Sequence, residues 1–174
     1  MKSGFAGIVG RPNVGKSTLM NALVGEKVAI TSGKAQTTRN AIRGIYNDDE
    51  CQIVFIDTPG IHKPKNKLGA YMTKTALSTL NEVDVILFLV DDRLSSGPGD
   101  KYILELLKKV KNTPKFLIIN KTDTIKPDEY RAIYDEYDAV GIFTEIIGTC
   151  ALKGVNTDIC IEKIKPFIEE GPMY

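Results

Sequence analysis

Gly10-Arg11-Pro12-Asn13-Val14-Gly15-Lys16-Ser17 is the stretch that decides the fold, because it fits the phosphate-loop pattern G-x-x-x-x-G-K-[ST]. Phe5 to Val9 before it is a short apolar run of buried-strand type. After it, Thr18 to Val24 carries apolar residues at helical spacing. Strand, Gly-rich turn and helix start are the context the motif needs. The glycines let backbone N–H groups curl around an anion, and the helix adds its positive end and unpaired donors. Lys16 would reach the β- and γ-phosphates, and the Ser17 hydroxyl would ligate Mg²⁺. Gly10, Arg11, Pro12, Asn13, Val14, Gly15, Lys16, Ser17 and Thr18 are therefore the candidate phosphate contacts. The competing reading is a Gly-rich turn with a surface lysine.

Downstream, strands and helices alternate. Ala41 to Tyr46 and Cys51 to Ile56 read as strands, joined by the turn Asn47-Asp48-Asp49-Glu50. So short a link predicts an antiparallel hairpin. Further strands are expected at 83–90, 115–119 and 142–147, with helices at 68–80, 100–111, 127–137 and 155–168. Six strands and five helices predict an α/β fold, a three-layer sandwich around a mostly parallel sheet with one antiparallel strand. Each chemical motif follows a strand, so the motifs should converge at the carboxyl edge of the sheet.

Asp57-Thr58-Pro59-Gly60 closes the third strand. Asp57 stands where an acid would hold Mg²⁺ through water, and the Gly60 N–H would face the γ-phosphate. Read alone, the four residues could be an ordinary turn. Asn120-Lys121-Thr122-Asp123 has the form N-K-x-D. The Asp123 carboxylate can accept from both guanine N1–H and the exocyclic amine, and adenine offers neither donor at that edge. Lys121 would lay its stem over the base, and Asn120 would tie neighbouring loops together. Thr149-Cys150-Ala151-Leu152-Lys153 would offer backbone N–H groups to the guanine carbonyl. The polar stretch 26–40 is long for a connection, which marks it as functional or mobile. A threonine in its Gln36-Thr37-Thr38-Arg39 run could complete a Mg²⁺ shell.

The bulk numbers set limits. The 174 residues suit one domain, expected over 1–170, with Gly171-Pro172 opening a linker at 171–174. With 23 Lys+Arg against 22 Asp+Glu, net charge +1, nothing demands nucleic acid or an anionic membrane. The basic run Lys63, Lys65, Lys67 and Lys74 reads as a solvated face before it reads as an RNA patch. Cys51, Cys150 and Cys160 are scattered without CxxC spacing, which points to reduced thiols in a cytosolic protein. His62 is the sole histidine, which leaves little for a Ser-His triad or a His-based metal cage. No signal peptide opens the chain and no apolar run reaches bilayer length, so a cytoplasmic location is expected.

With these motifs in order, the chain resembles the translation-factor-related small GTPases, and within them the Era-type small GTPases of the TrmE-Era-EngA-like group. The stretches GRPNVGKSTLMNALVGEKVAITS, KAQTTRN and FIDTPGIHKPKNKLG carry the likeness. The resemblance implies a GTP-binding, GTP-hydrolysing switch of P-loop NTPase fold, using GTP/GDP and Mg²⁺. It puts Thr38, rather than Thr37, in the first switch as a metal ligand beside Ser17 and Asp57. It gives Lys16, Thr38 and Gly60 the catalytic contacts, and Asn120, Lys121, Asp123, Cys150, Ala151 and Leu152 the base. The last base loop of the family usually begins with Ser, so Cys150 departs mildly. Era-type proteins also carry a C-terminal KH domain that binds the 3′ end of 16S rRNA. The expectation is that this chain lacks it and alone binds little specific RNA. For the full-length protein the resemblance implies small-subunit maturation and peripheral membrane contact; the chain itself is expected to be a monomer.

Two residues bear on the water attack. Ras-type GTPases have Gln directly after the second-switch glycine; here Ile61 stands there and can neither donate nor accept, so turnover should be slow without help. Asn13 could ligate K⁺ beside the phosphates, as in related GTPases with a P-N-x-G-K loop, or could simply bond its own backbone. The competing classes are an ATP-using phosphotransferase, a non-hydrolysing nucleotide-dependent scaffold, and a related ribosome-assembly or tRNA-modification GTPase.

Overall fold

Side-chain alternation along the strands divides the core in two. In the computed structural model, residues 2–11, 14–24, 41–57, 74, 77–91 and 98–170 are described. Ala6 and Ile8 of β1 (Lys2–Val9), Ile53 and Phe55 of β3 (Cys51–Asp57), and Leu87 and Leu89 of β4 (Val85–Val90) face one way. They pack with α1 (Lys16–Val24) and α5 (Thr157–Ile164). Val9, Val54, Ile56, Ile86, Phe88 and Val90 face the other way. That face is covered by α2, described over 77–82, α3 (Pro98–Lys108) and α4 (Pro127–Asp138). Burial on both faces explains why β3, β4 and β5 (Lys115–Ile119) read as nearly continuous apolar runs. Phe55, Phe88 and Phe116 are each fully buried, worth about 2–3 kcal/mol apiece by transfer.

The strand order is β2-β3-β1-β4-β5-β6, with β2 (Ala41–Asn47) antiparallel to β3 and the other pairings along that path parallel. Six strands in this order and five helices form the expected three-layer sandwich. A two-residue β7 (Glu169–Glu170) also pairs antiparallel with the first residues of β1. Between the β7 and β4 pairings, Asp84 completes β1: its N–H donates to Phe5 O at 2.9 Å and its carboxylate accepts the Phe5 N–H at 2.8 Å. That is why β4 starts at Val85 and not at Val83.

Other bounds differ for physical reasons. β6 is Glu145–Gly148, later than the apolar run starting at Ile142 predicts. Phe143 instead stacks on Phe88 with centroids 6.3 Å apart and meets Tyr137 edge-on at 6.2 Å. α3 begins at Pro98, with proline in a first-turn position that needs no N–H. α5 stops at Ile164 because Pro166 cannot continue an α-helix; a 3₁₀ turn, Lys165–Phe167, follows.

Asp48 makes the β2–β3 turn by accepting the Glu50 and Cys51 N–H groups, each at 2.8 Å. Lys165 then reaches this turn from the other end of the chain. Its Nζ lies 2.8 Å from Asp48, 2.9 Å from Glu50 and 3.0 Å from Glu162. Among the described residues no helix is long and apolar enough to cross a membrane.

Candidate functional site

The phosphate loop leaves β1 at Gly10. A Cβ there would meet Leu89 O at 3.0 Å, so glycine permits the close approach to β4. Val14 is fully buried in the core and pins the loop from below. Gly15 has φ +103°, a conformation side chains avoid, and its carbonyl accepts the Leu19 N–H at 2.9 Å to start α1. Ser17 and Thr18 lie exposed on the first helical turn. Lys16 Nζ sits 3.3 Å from Asp57 Oδ1, the carboxylate that ends β3. The parallel register that pairs Ile8 with Asp57 brings the two strand ends together.

Asn120 is 3% exposed and joins three segments. Its backbone N–H donates to Val90 O at 2.8 Å. Its side-chain amide donates to Val14 O at 3.5 Å, and its Oδ1 accepts from Thr149 Oγ1 at 3.2 Å and Ala151 N at 3.0 Å. The phosphate loop, the end of β5 and the loop after β6 are thus tied at one side chain. Thr122 adds a second stitch, donating from both N and Oγ1 to Thr149 O. Within 150–153, Cys150 N donates to Val155 O, and Lys153 N donates to Cys150 O. The Ala151 N–H is thus already engaged by Asn120.

Asp123 is exposed on the short 3₁₀ turn Thr122–Thr124. Its carboxyl is held below the ordinary value first by the Cys150 thiol, which donates to it; burial works against this, and the charge of Lys153 helps to outweigh it. Lys153 Nζ lies 3.6 Å away. Cys150 is 3% exposed. A thiol can therefore stand where a hydroxyl is expected in this loop, since both donate.

The sequence reading missed two acids. Asp91, directly after β4, accepts from Arg11 Nη2 and lies 3.7 Å from Lys121 Nζ. Asp100, in the first turn of α3 and 2% exposed, accepts from Arg11 Nε at 3.2 Å. Burial works against the Arg11 charge, but Asp100 and then Asp91 outweigh it and raise its pKa. The Arg11 side chain is thus turned to carboxylates, so its place in the phosphate loop does not make it a free cation. The only local signal was an acid following a buried strand.

Pro12, Asn13, the stretch 25–40 with Thr37 and Thr38, and 58–73 with Gly60, Ile61 and His62 lie outside the described residues, as does 171–174; so does the Leu152 side chain. Of the expected lysine run, Lys74 alone is described, helical and exposed. Ser17 and Asp57 offer oxygen donors of the hard type Mg²⁺ takes, Ser17 in the first turn of α1 and Asp57 at the end of β3 against the Lys16 ammonium. That donor set fits the ion.

A phosphate loop between first strand and first helix, on a sheet of this order, defines the P-loop NTPase fold. Residues 5–121 match the family model described as "50S ribosome-binding GTPase", and the chain belongs to that family. It is 59% identical over 174 residues to GTPase Era of Clostridioides difficile, covering 99% of this chain and 58% of the relative. Era in complex with MgGDPNP and nucleotides 1506–1542 of 16S ribosomal RNA is similar at TM-score 0.81 and 43% identity, over 100% of this chain and 60% of that one. A variant of Aquifex aeolicus Era bound to GDP·AlF4⁻ gives TM-score 0.79 and 43% identity, over 99% and 59%. The chain therefore spans somewhat more than half the length of these relatives.

Proposed function

We propose that residues 1–170 form a guanine-nucleotide switch that binds GTP and hydrolyses it to GDP and phosphate, with 171–174 opening a linker. The observation that carries this reading is Asn120, whose one amide joins the phosphate loop at Val14 to the base loop at Ala151. Asn120 lies 106 positions from Val14 and 31 from Ala151, so two half-sites distant in the chain are held as one cleft edge.

Gly10 to Thr18 would cradle the phosphates through backbone N–H groups, with Lys16 on the β- and γ-oxygens. Ser17 and Asp57, and by resemblance Thr38, would hold Mg²⁺, which when bound neutralises phosphate charge. Lys16 would leave Asp57 for the phosphates, freeing that carboxylate to face the metal side. Asp123 would accept from guanine, with Lys121 over the ring and Cys150, Ala151 and Leu152 closing the carbonyl side. Gly60 would direct its N–H to the γ-phosphate. Ile61 leaves the attacking water without a side-chain partner, and Asn13 is the candidate ligand for an activating K⁺.

In the full-length protein this switch would serve 16S rRNA and small-subunit maturation, since the similar Era structure contains that RNA. We place the protein in the cytoplasm as a monomer, with any membrane contact peripheral. This chain alone, at net charge +1, would bind little specific RNA. Competition titration of GDP against ADP tests the base assignment directly. A preference for GDP of orders of magnitude is expected, and equal binding of both would remove it.

A further inference from the structure

Asp91 carries one carboxylate between two cations that belong to different motifs. Its Oδ1 accepts from Arg11 Nη2, beside the first glycine of the phosphate loop. Its Oδ2 lies 3.7 Å from Lys121 Nζ, the lysine of the N-K-x-D motif. Asp91 is 7% exposed and is held in place by the backbone beside it: Val90 O accepts the Asn120 N–H at 2.8 Å. Arg11 is fixed from its other side by Asp100 at 3.2 Å. Arg11, Lys121, Asp91 and Asp100 thus form a balanced set of two positive and two negative charges, three of them largely buried.

Lys121 shows a further constraint. Its backbone is left-handed, φ 64° and ψ 37°, which non-glycine residues adopt only where the surroundings impose it. That conformation together with the Asp91 contact fixes both ends of the lysine stem. An exposed ammonium on its own would be a weak anchor. Here the other partner is buried and already bonded to Arg11, so the carboxylate does not move to follow the lysine.

We propose that Asp91 is the positioning residue that holds the Lys121 ammonium, so that its stem is set over the base. Resting on the guanine-nucleotide reading, this assigns to one buried carboxylate the placement of the lysine that covers the base, Arg11 being held by Asp100 as well. Asp91 touches no nucleotide and acts through Lys121.

The test is GDP affinity, measured by equilibrium titration, in Asp91→Asn, Lys121→Met and the double variant. Methionine keeps a stem over the base and removes the ammonium. Each single variant is expected to lose about tenfold or more in GDP affinity, as loss of a charge-assisted anchor does. In the Lys121→Met background Asp91→Asn should then cost less than about twofold further, because the two act as a unit. A merely structural Asp91 would lower thermal stability and leave the affinity of the folded protein within about twofold, and that overturns the proposal. Equal losses in both backgrounds overturn it as well. Should Asp91→Asn fail to fold, Asp91→Glu takes its place, keeping the charge while displacing the carboxylate; GDP affinity within about twofold of wild type in the folded Asp91→Glu protein contradicts the proposal, as does unchanged affinity in Lys121→Met, whose side chain is 42% exposed. A wild-type chain that does not bind GDP removes the nucleotide reading itself, whereas tight GDP binding untouched by either substitution removes only the role of Asp91.

Discussion

Lys16 Nζ lies 3.3 Å from Asp57 Oδ1, a contact between the first residue of α1 and the last of β3. With side-chain exposures of 22% and 11%, the cost of desolvating both charges offsets much of their attraction, so the pair adds little to folding. Its value is placement: the one ammonium among the loop's described residues stands beside an acid able to face a metal. Lys16→Ala should therefore leave the melting temperature without nucleotide nearly unchanged. It should weaken Mg²⁺–GTP binding by about 10–100-fold, the worth of a charge-assisted bond. Calorimetric titration and thermal melts on the same sample measure both. Unaltered affinity would take the phosphate loop out of the mechanism.

Asn120 is the opposite case, a residue whose loss is felt in the fold. Asn120→Ala would leave the fully buried Thr149 hydroxyl and the Ala151 N–H without their acceptor. A destabilisation of about 2–4 kcal/mol is expected from urea midpoints. Gly15→Ala strikes the same joint from the other side: φ is +103° and the new Cβ would stand 2.6 Å from Asn120 Nδ2. A cost below about 1 kcal/mol for both would mean the loops do not depend on this amide.

Asp123 is held ionised below its ordinary value by the Cys150 thiol and by Lys153. Asp123→Asn replaces an acceptor by an amide that can also donate, matching the xanthine carbonyl that replaces the guanine amine. Competition binding should show affinity moving from GTP to xanthosine triphosphate. No change of base preference would show that this residue does not read the base.

Acid stability should depend on the turn that Lys165 closes. Burial alone would raise the Asp48 carboxyl; Lys165, the Cys51 N–H, the Tyr46 hydroxyl and the Glu50 N–H outweigh it and hold the group well below the usual range. A depressed folded-state value gives stability above the unfolded value, about pH 4, that is lost as pH falls further. Lys165 is raised by Asp48, Glu50 and Glu162, so its share persists below about pH 10 and is lost above. Lys165→Met is expected to cost about 1–3 kcal/mol at neutral pH, with the gap to wild type narrowing in acid. Urea midpoints at about pH 7 and about pH 3 measure the gap. A gap of constant size would show that the Asp48–Lys165 contact does not set it.

The motifs that lie in one piece were legible. The Gly10–Ser17 loop, the acid ending β3 and the N-K-x-D turn each declare their chemistry by spacing. Nearly continuous apolar runs marked strands buried on both faces of the sheet. Contacts that depend on packing were not legible. Nothing local pairs Arg11 with Asp91 and Asp100, which come together only because β1 and β4 are neighbours. The apolar run from Ile142 carried no sign that Phe143 would join the aromatic cluster of Phe88 and Tyr137 rather than extend β6. A β7 of two residues is too short to leave any periodicity.

The central claim is a GTP-specific hydrolase whose phosphate and base sites are locked together through Asn120. Phosphate release from GTP and from ATP, measured side by side with Mg²⁺ in KCl, tests it most directly. Slow release from GTP and none above background from ATP is the predicted result. Equal release from both nucleotides, or GTP binding without any turnover, would contradict it, the first by removing base selection and the second by leaving a nucleotide-dependent scaffold.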